Sequence, residues 1–109
     1  MPNLPRQAAI YWFDPEPTKG AEIRKIRPCV VVSPNEMNAV LKTVIIAPLT
    51  STIQLWPFRL TVTVLNQKSS VACDQIRAVD KSRLRAYIGD LRSKDREELL
   101  NLLQTIFSN

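Results

Sequence analysis

The chain has 109 residues, 45% of them apolar and 23% charged, with a formal net charge of +5. That length predicts one domain, residues 1–109, around a single modest core. No apolar run nears the roughly 18 residues of a membrane span. The N-terminus also lacks the basic segment, apolar core and small-residue cleavage site of a signal peptide. The expectation is a cytoplasmic protein with no membrane partner. There is no histidine, so any catalysis must run without the commonest general acid–base group. Cys29 and Cys73 lie in apolar contexts without a CxxC, so they are expected to be buried thiols. Neither a disulfide nor a zinc site is expected, and no cofactor.

In chain order, residues 8–13 (AAIYWF) read as a short aromatic strand, stopped by Asp14-Pro15-Glu16-Pro17 because proline cannot donate to a ladder. Residues 18–26 read as a charged loop. Residues 29–33 (CVVVS) read as a buried strand, followed by a helical turn over 34–39 with Ser33 as cap and Pro34 at its first position. A strand is expected over 42–49, then a loop over 53–57 that exposes Leu55 and Trp56. Residues 58–65 (FRLTVTVL) alternate, with Phe58, Leu60, Val62 and Val64 on one face and Arg59, Thr61 and Thr63 on the other, which predicts a half-buried strand. A turn over 66–69, a strand over 70–76, a helical turn over 80–84 and a short strand over 87–91 follow. Ser93 is expected to cap a terminal helix whose stripe is Leu99, Leu102, Leu103, Ile106 and Phe107, widened by Leu100. Five or six short strands and one helix predict a mainly β protein with some α, a small barrel with the C-terminal helix packed across it.

The positive charge is clustered. Lys19, Arg24, Lys25 and Arg27 face one acid, Glu22, and Arg77, Lys81, Arg83 and Arg85 face Asp80. Clustered cations favour a nucleic-acid partner over simple solubility. Three constellations could carry chemistry. Arg27 is pushed toward extended backbone by Pro28; a solvated strand-end arginine is the plain alternative, but its planar fork suits phosphate. Thr50, with Ser51 and Thr52, puts hydroxyls at a strand exit, where turn bonding is the plain alternative and donation to phosphate the functional one. Asp74-Gln75-Ile76-Arg77 is either a strand end with its own ion pair or a base-reading edge. Trp56 and Phe58 could stack on bases or simply anchor their loop.

These segments resemble one known family. DPEPTKGAEIRKIRPCVVVSP, IIAPLTS, WPFRLTV, DQIRAVDKSRL and IGDL, spanning about Ile10 to the terminal helix, are similar to the MazF/PemK-type toxins of bacterial toxin–antitoxin systems. The resemblance implies an SH3-like β-barrel with a C-terminal helix, and a homodimer. It implies ribosome-independent, sequence-specific cleavage of single-stranded RNA, leaving 2′,3′-cyclic phosphate and 5′-hydroxyl ends. A cognate antitoxin with a partly disordered tail is expected to occupy the RNA site. Residue by residue, the family's arginine before proline matches Arg27, its threonine after the third strand Thr50, its loop glutamate Glu22, and the acid of its DQ element Asp74. Arg27, Thr50 and Glu22 are thus the expected catalytic residues. Lys19, Arg24, Lys25, Ser51, Trp56, Asp74, Gln75 and Arg77 are the expected RNA contacts.

The chain departs from some relatives at Ala21, where they carry histidine, and at Ala72, where they carry arginine. Mechanisms that need either residue are closed to it. What remains is an arginine and a hydroxyl donor, with Glu22 ahead of Asp74 as candidate base. Two other readings stand beside this one: a non-catalytic poison of the same fold acting on DNA gyrase, and a silent RNA-binding module. The gyrase-directed CcdB-type toxins act through a late tryptophan, whereas this chain ends Ile106-Phe107-Ser108-Asn109.

Overall fold

The computed structural model describes residues 4–15 and 26–108. The expected loop residues Lys19, Ala21, Glu22, Arg24 and Lys25 lie outside the described residues. Among those described are strands β1 (Ala9–Phe13), β2 (Arg27–Val31), β3 (Thr43–Thr50), β4 (Arg59–Val64), β5 (Gln67–Ala72), β6 (Arg77–Asp80) and β7 (Leu84–Asp90), with helices α1 (Asn35–Val40) and α2 (Ser93–Ile106). The strands pair antiparallel in the order β4-β5-β3-β2-β1-β7, and β6 pairs with β3. The result is a curled half-barrel with the C-terminal helix against it, as the sequence predicts. No helix among the described residues is long and apolar enough to cross a membrane.

The apolar runs of β2 and β3 follow from burial on both faces. Val30, Val32, Ala47 and Leu49 point into one cluster, with Val62, Val64 and Val71 from the β4–β5 hairpin and Leu99 from α2. Cys29, Val31, Val44 and Ile46 point the other way, against Phe13 and Val79. Side chains alternate faces along a strand, so a strand covered on both sides reads as continuously apolar. A buried polar knot fixes one end of this packing. Asn38 is fully buried, accepts from Ser33 Oγ at 2.5 Å and donates to the carbonyls of Pro5 and Ser33 at 3.0 Å. Ser33 Oγ in turn accepts from the Ile45 amide at 3.0 Å.

Several local expectations need correction. Ser33 does not cap α1; Pro34 holds the cap position and the Ser33 hydroxyl is spent on Asn38. Ser93 is the first residue of α2, and Arg92, at the cap, pairs with Asp95 at 3.5 Å. Phe107 lies past the helix end and is 72% exposed, so it leaves the apolar stripe. The strand expected over 70–76 ends at Ala72 in a 3₁₀ turn (Cys73–Gln75), and β6 begins after it. That short polar strand was hidden by its charged residues. The expected helical turn after Asp80 is present as 3₁₀, with Asp80 accepting from the Ser82 amide at 2.8 Å.

The turn expected over 66–69 is tighter and earlier. Val64 pairs with Gln67, and the two residues between them both have positive φ, 53° at Leu65 and 62° at Asn66. Two left-handed residues in a two-residue hairpin make a type I′ turn, which favours asparagine and glycine. Leucine is strained there, and it is 65% exposed. Leu65→Asn should therefore raise the unfolding free energy by about 1 kcal/mol, read from urea denaturation. A loss of stability would contradict the turn assignment.

Candidate functional site

The β2–β3 ladder aligns Cys29 with Pro48, Val30 with Ala47 and Val31 with Ile46. At its Cys29–Pro48 end the ladder stops two residues short of Arg27 on β2 and of Thr50 on β3. A guanidinium and a hydroxyl therefore stand at the same end of the β2–β3 pair. Arg27 is exposed and Thr50 half-buried. Thr50 Oγ1 accepts from the Thr52 amide at 3.2 Å. The turn bonding weighed from sequence is thus real, and it orients the hydroxyl oxygen while leaving its hydrogen to donate.

Arg27 and Thr50 form a wall shared by two depressions. The larger, about 440 Å³, is further lined by Trp56, Arg59, Gln75 and Arg77. The smaller, about 220 Å³, takes in Trp12, Ser51, Gln67 and Ser69. Of the expected residues, Arg27, Thr50, Trp56, Gln75 and Arg77 therefore converge on one groove, with Ser51 on the neighbouring side. Among the described residues neither Arg27 nor Arg77 is ion-paired, so both guanidinium groups are available to an anion.

Arg59 was missed because it reads as one polar residue in an alternating strand. It faces Ala72 across the β4–β5 ladder, and the small side chain there leaves it room. Its side chain is only 8% exposed. Nε and Nη2 donate to the two Asp74 oxygens at 2.6 and 3.1 Å, a bidentate fork. The ion pair expected within Asp74–Arg77 is thus made with Arg59 on another strand instead. The Arg59 guanidinium also lies 5.1 Å from the Trp56 ring centroid, within cation–π range, and Trp56 packs on Phe58 at 5.3 Å. The loop is anchored as one of the two sequence readings had it, yet Trp56 stays 44% exposed and can still take a stacking partner.

The titrating groups divide cleanly. The hydrogen bonds from Arg59 hold the Asp74 carboxyl below its ordinary value of 3.8. Burial pushes Cys29 up to about 12 and Cys73 up to about 11. Both thiols are free and buried, so neither offers a thiolate at neutral pH.

A family model described as PemK-like, MazF-like toxin of type II toxin-antitoxin systems matches residues 6–107. The chain belongs to this toxin family. A curated relative, Endoribonuclease MazF of Staphylococcus saprophyticus, is 30% identical over 104 residues, covering 90% of this chain and 87% of the relative. Among solved structures, MazF from Deinococcus radiodurans superposes with TM-score 0.78 at 25% identity, covering 96% of this chain and 97% of that one. The MazE–MazF complex of the same organism gives 0.80 at 24% identity, covering 95% and 96%. The chain therefore shares its fold with these solved structures.

In this toxin the depressed Asp74 value links site to stability. A carboxyl whose folded value lies below its unfolded one adds stability above the ordinary range, and this is lost as pH falls through the folded value. The unfolding free energy of Asp74→Asn should trail that of the parent at neutral pH, and the gap should close below about pH 4. A gap that stays constant on acidification would contradict the Arg59–Asp74 pairing.

Proposed function

We propose that this toxin is a metal-independent endoribonuclease that cleaves single-stranded RNA at a short sequence motif without the ribosome. The observation that carries the reading is that Arg27 and Thr50 both line two adjoining depressions of nucleotide scale. An RNA phosphate seated at the wall they share would have one nucleotide on each side. The substrate's own 2′-hydroxyl attacks phosphorus and forms the 2′-O–P bond, while the bond to the 5′-oxygen breaks. The products are a 2′,3′-cyclic phosphate and a 5′-hydroxyl. One proton leaves the 2′-oxygen, with Glu22 assigned as base from the family resemblance, and one is delivered to the departing 5′-oxygen.

Negative charge grows on the phosphorus-bound oxygens in the transition state. Arg27 supplies a fixed positive fork and Thr50 an oriented hydroxyl, each of a kind whose removal costs about 3–4 kcal/mol. Arginine is a poor proton donor, so its work is electrostatic. Arg77, Trp56, Gln75, Ser51 and the loop cations Lys19, Arg24 and Lys25 are assigned to holding the strand. The metal-free reading is supported by the donor set: the chain has no histidine, and no group of three His, Cys, Asp or Glu among the described residues could share an ion. The relative's name and the antitoxin complexes among solved structures of this fold support an endoribonuclease neutralised by a cognate antitoxin. A homodimer in the cytoplasm belongs to the same proposal, as the family resemblance implies.

Arg27→Ala and Thr50→Ala should each slow cleavage of a single-stranded RNA in EDTA by roughly 10²–10³-fold, with unchanged circular dichroism. Full activity in both variants would overturn the assignment.

A further inference from the structure

The β4–β5 hairpin carries a leucine that its own backbone disfavours. Leu65 has φ 53° in a two-residue turn, a region where a side chain crowds the following carbonyl. The core does not require it there, since Leu65 is 65% exposed. Strain of this kind, unneeded by the packing, concentrates at ligand clamps. The position of Leu65 fits such a role. It lines the smaller depression, together with Trp12, Arg27 and Thr50. The β1–β2 ladder holds Trp12 against Pro28, next in sequence to Arg27, and Trp12 is only half-buried. An aromatic ring and a leucine thus flank the depression that begins at the phosphate wall. No carboxylate is among its described lining residues, so nothing charged there repels a polyanion.

Resting on the ribonuclease reading, we propose that Leu65 and Trp12 grip the nucleobase next to the cleaved phosphate, Trp12 by stacking and Leu65 by apolar contact. Every base has a π-face, so stacking tolerates any sequence. A leucine side chain likewise has no donor or acceptor with which to tell one base edge from another. The pair therefore supplies affinity for the strand and leaves the cleavage motif to other residues. It also gives the strained turn a purpose: the residue that suits the backbone, asparagine, would lack the apolar surface. Stability and RNA binding then oppose each other at this one position.

The probe is an oligoribonucleotide spanning a site the parent cleaves, made resistant by a 2′-deoxy substitution at the cleaved nucleotide. Leu65→Asn should bind it about fivefold more weakly while unfolding at higher urea than the parent. Its cleavage motif, read by sequencing the 5′ ends of a randomised RNA pool, should be unchanged. Leu65→Met keeps the apolar reach and should bind within about twofold of the parent. The chain has two tryptophans, so Trp56→Phe leaves Trp12 as the sole indole emitter, and saturation with the oligonucleotide should quench it. Equal affinity of parent and Leu65→Asn, an altered motif, weak binding by Leu65→Met, or unquenched Trp12 would each overturn the proposal. So would a smaller oligomer for Leu65→Asn in sedimentation, which would put the leucine between subunits instead. A parent that cleaves no RNA would overturn the ribonuclease reading itself, and this proposal with it.

Discussion

Everything at the groove depends on the register of β3. This eight-residue strand is bonded to β2 along one edge, while its other edge is shared by β6 over Thr43–Ile46 and β5 over Leu49–Thr50. The change of partner falls at Ala47-Pro48, and Pro48 has no N–H to donate there. A slip of one residue would turn every side chain to the opposite face. It would remove Val44, Ile46, Ala47 and Leu49, all nearly fully buried, from their clusters. The core therefore enforces the alignment that brings Thr50 and Arg27 to the same end of the β2–β3 pair, and no contact between those two residues is needed to maintain it.

The same strand places the rest of the groove. Because β5 pairs with the last two residues of β3, the 3₁₀ turn after β5 brings Gln75, and then Arg77 at the start of β6, to the depression that Thr50 also lines. The β4–β5 ladder sets Arg59 opposite Ala72 and so within reach of Asp74. The arrangement is positive where a phosphodiester would sit and carries one carboxylate that is already paired. Such a site suits RNA in particular, since RNA carries its own nucleophile and the protein need only orient the strand and stabilise charge.

Much of this was legible in the sequence, and the reasons differ by segment. The strand over 29–33 announced itself by its valines, and 58–65 by strict alternation. Arg27 and Thr50 were visible as types at strand ends, but their juxtaposition was not, because register is a property of two strands and their shared core. Arg59 escaped because its partners, Asp74 and Trp56, come from another turn and from a loop. The fold gave it a bidentate partner, Asp74, for which the sequence offered Arg77 as one of two readings. Residues β6 and the Leu65-Asn66 turn escaped because one is a charged strand too short to show a period, and the other uses leucine where the backbone favours asparagine or glycine. The serines were read as caps at Ser33 and Ser93; one is spent on the buried Asn38, and the other is displaced from the cap position by Arg92.

Arg27 and Thr50 are proposed to act on a phosphate attacked by its own ribose hydroxyl. That proposal is tested most directly with an oligoribonucleotide carrying a single 2′-deoxy substitution at the cleaved nucleotide. This one change should abolish cleavage there, while the unmodified strand yields a 2′,3′-cyclic phosphate and a 5′-hydroxyl. Continued scission of the substituted strand, or products bearing a 5′-phosphate, would contradict it.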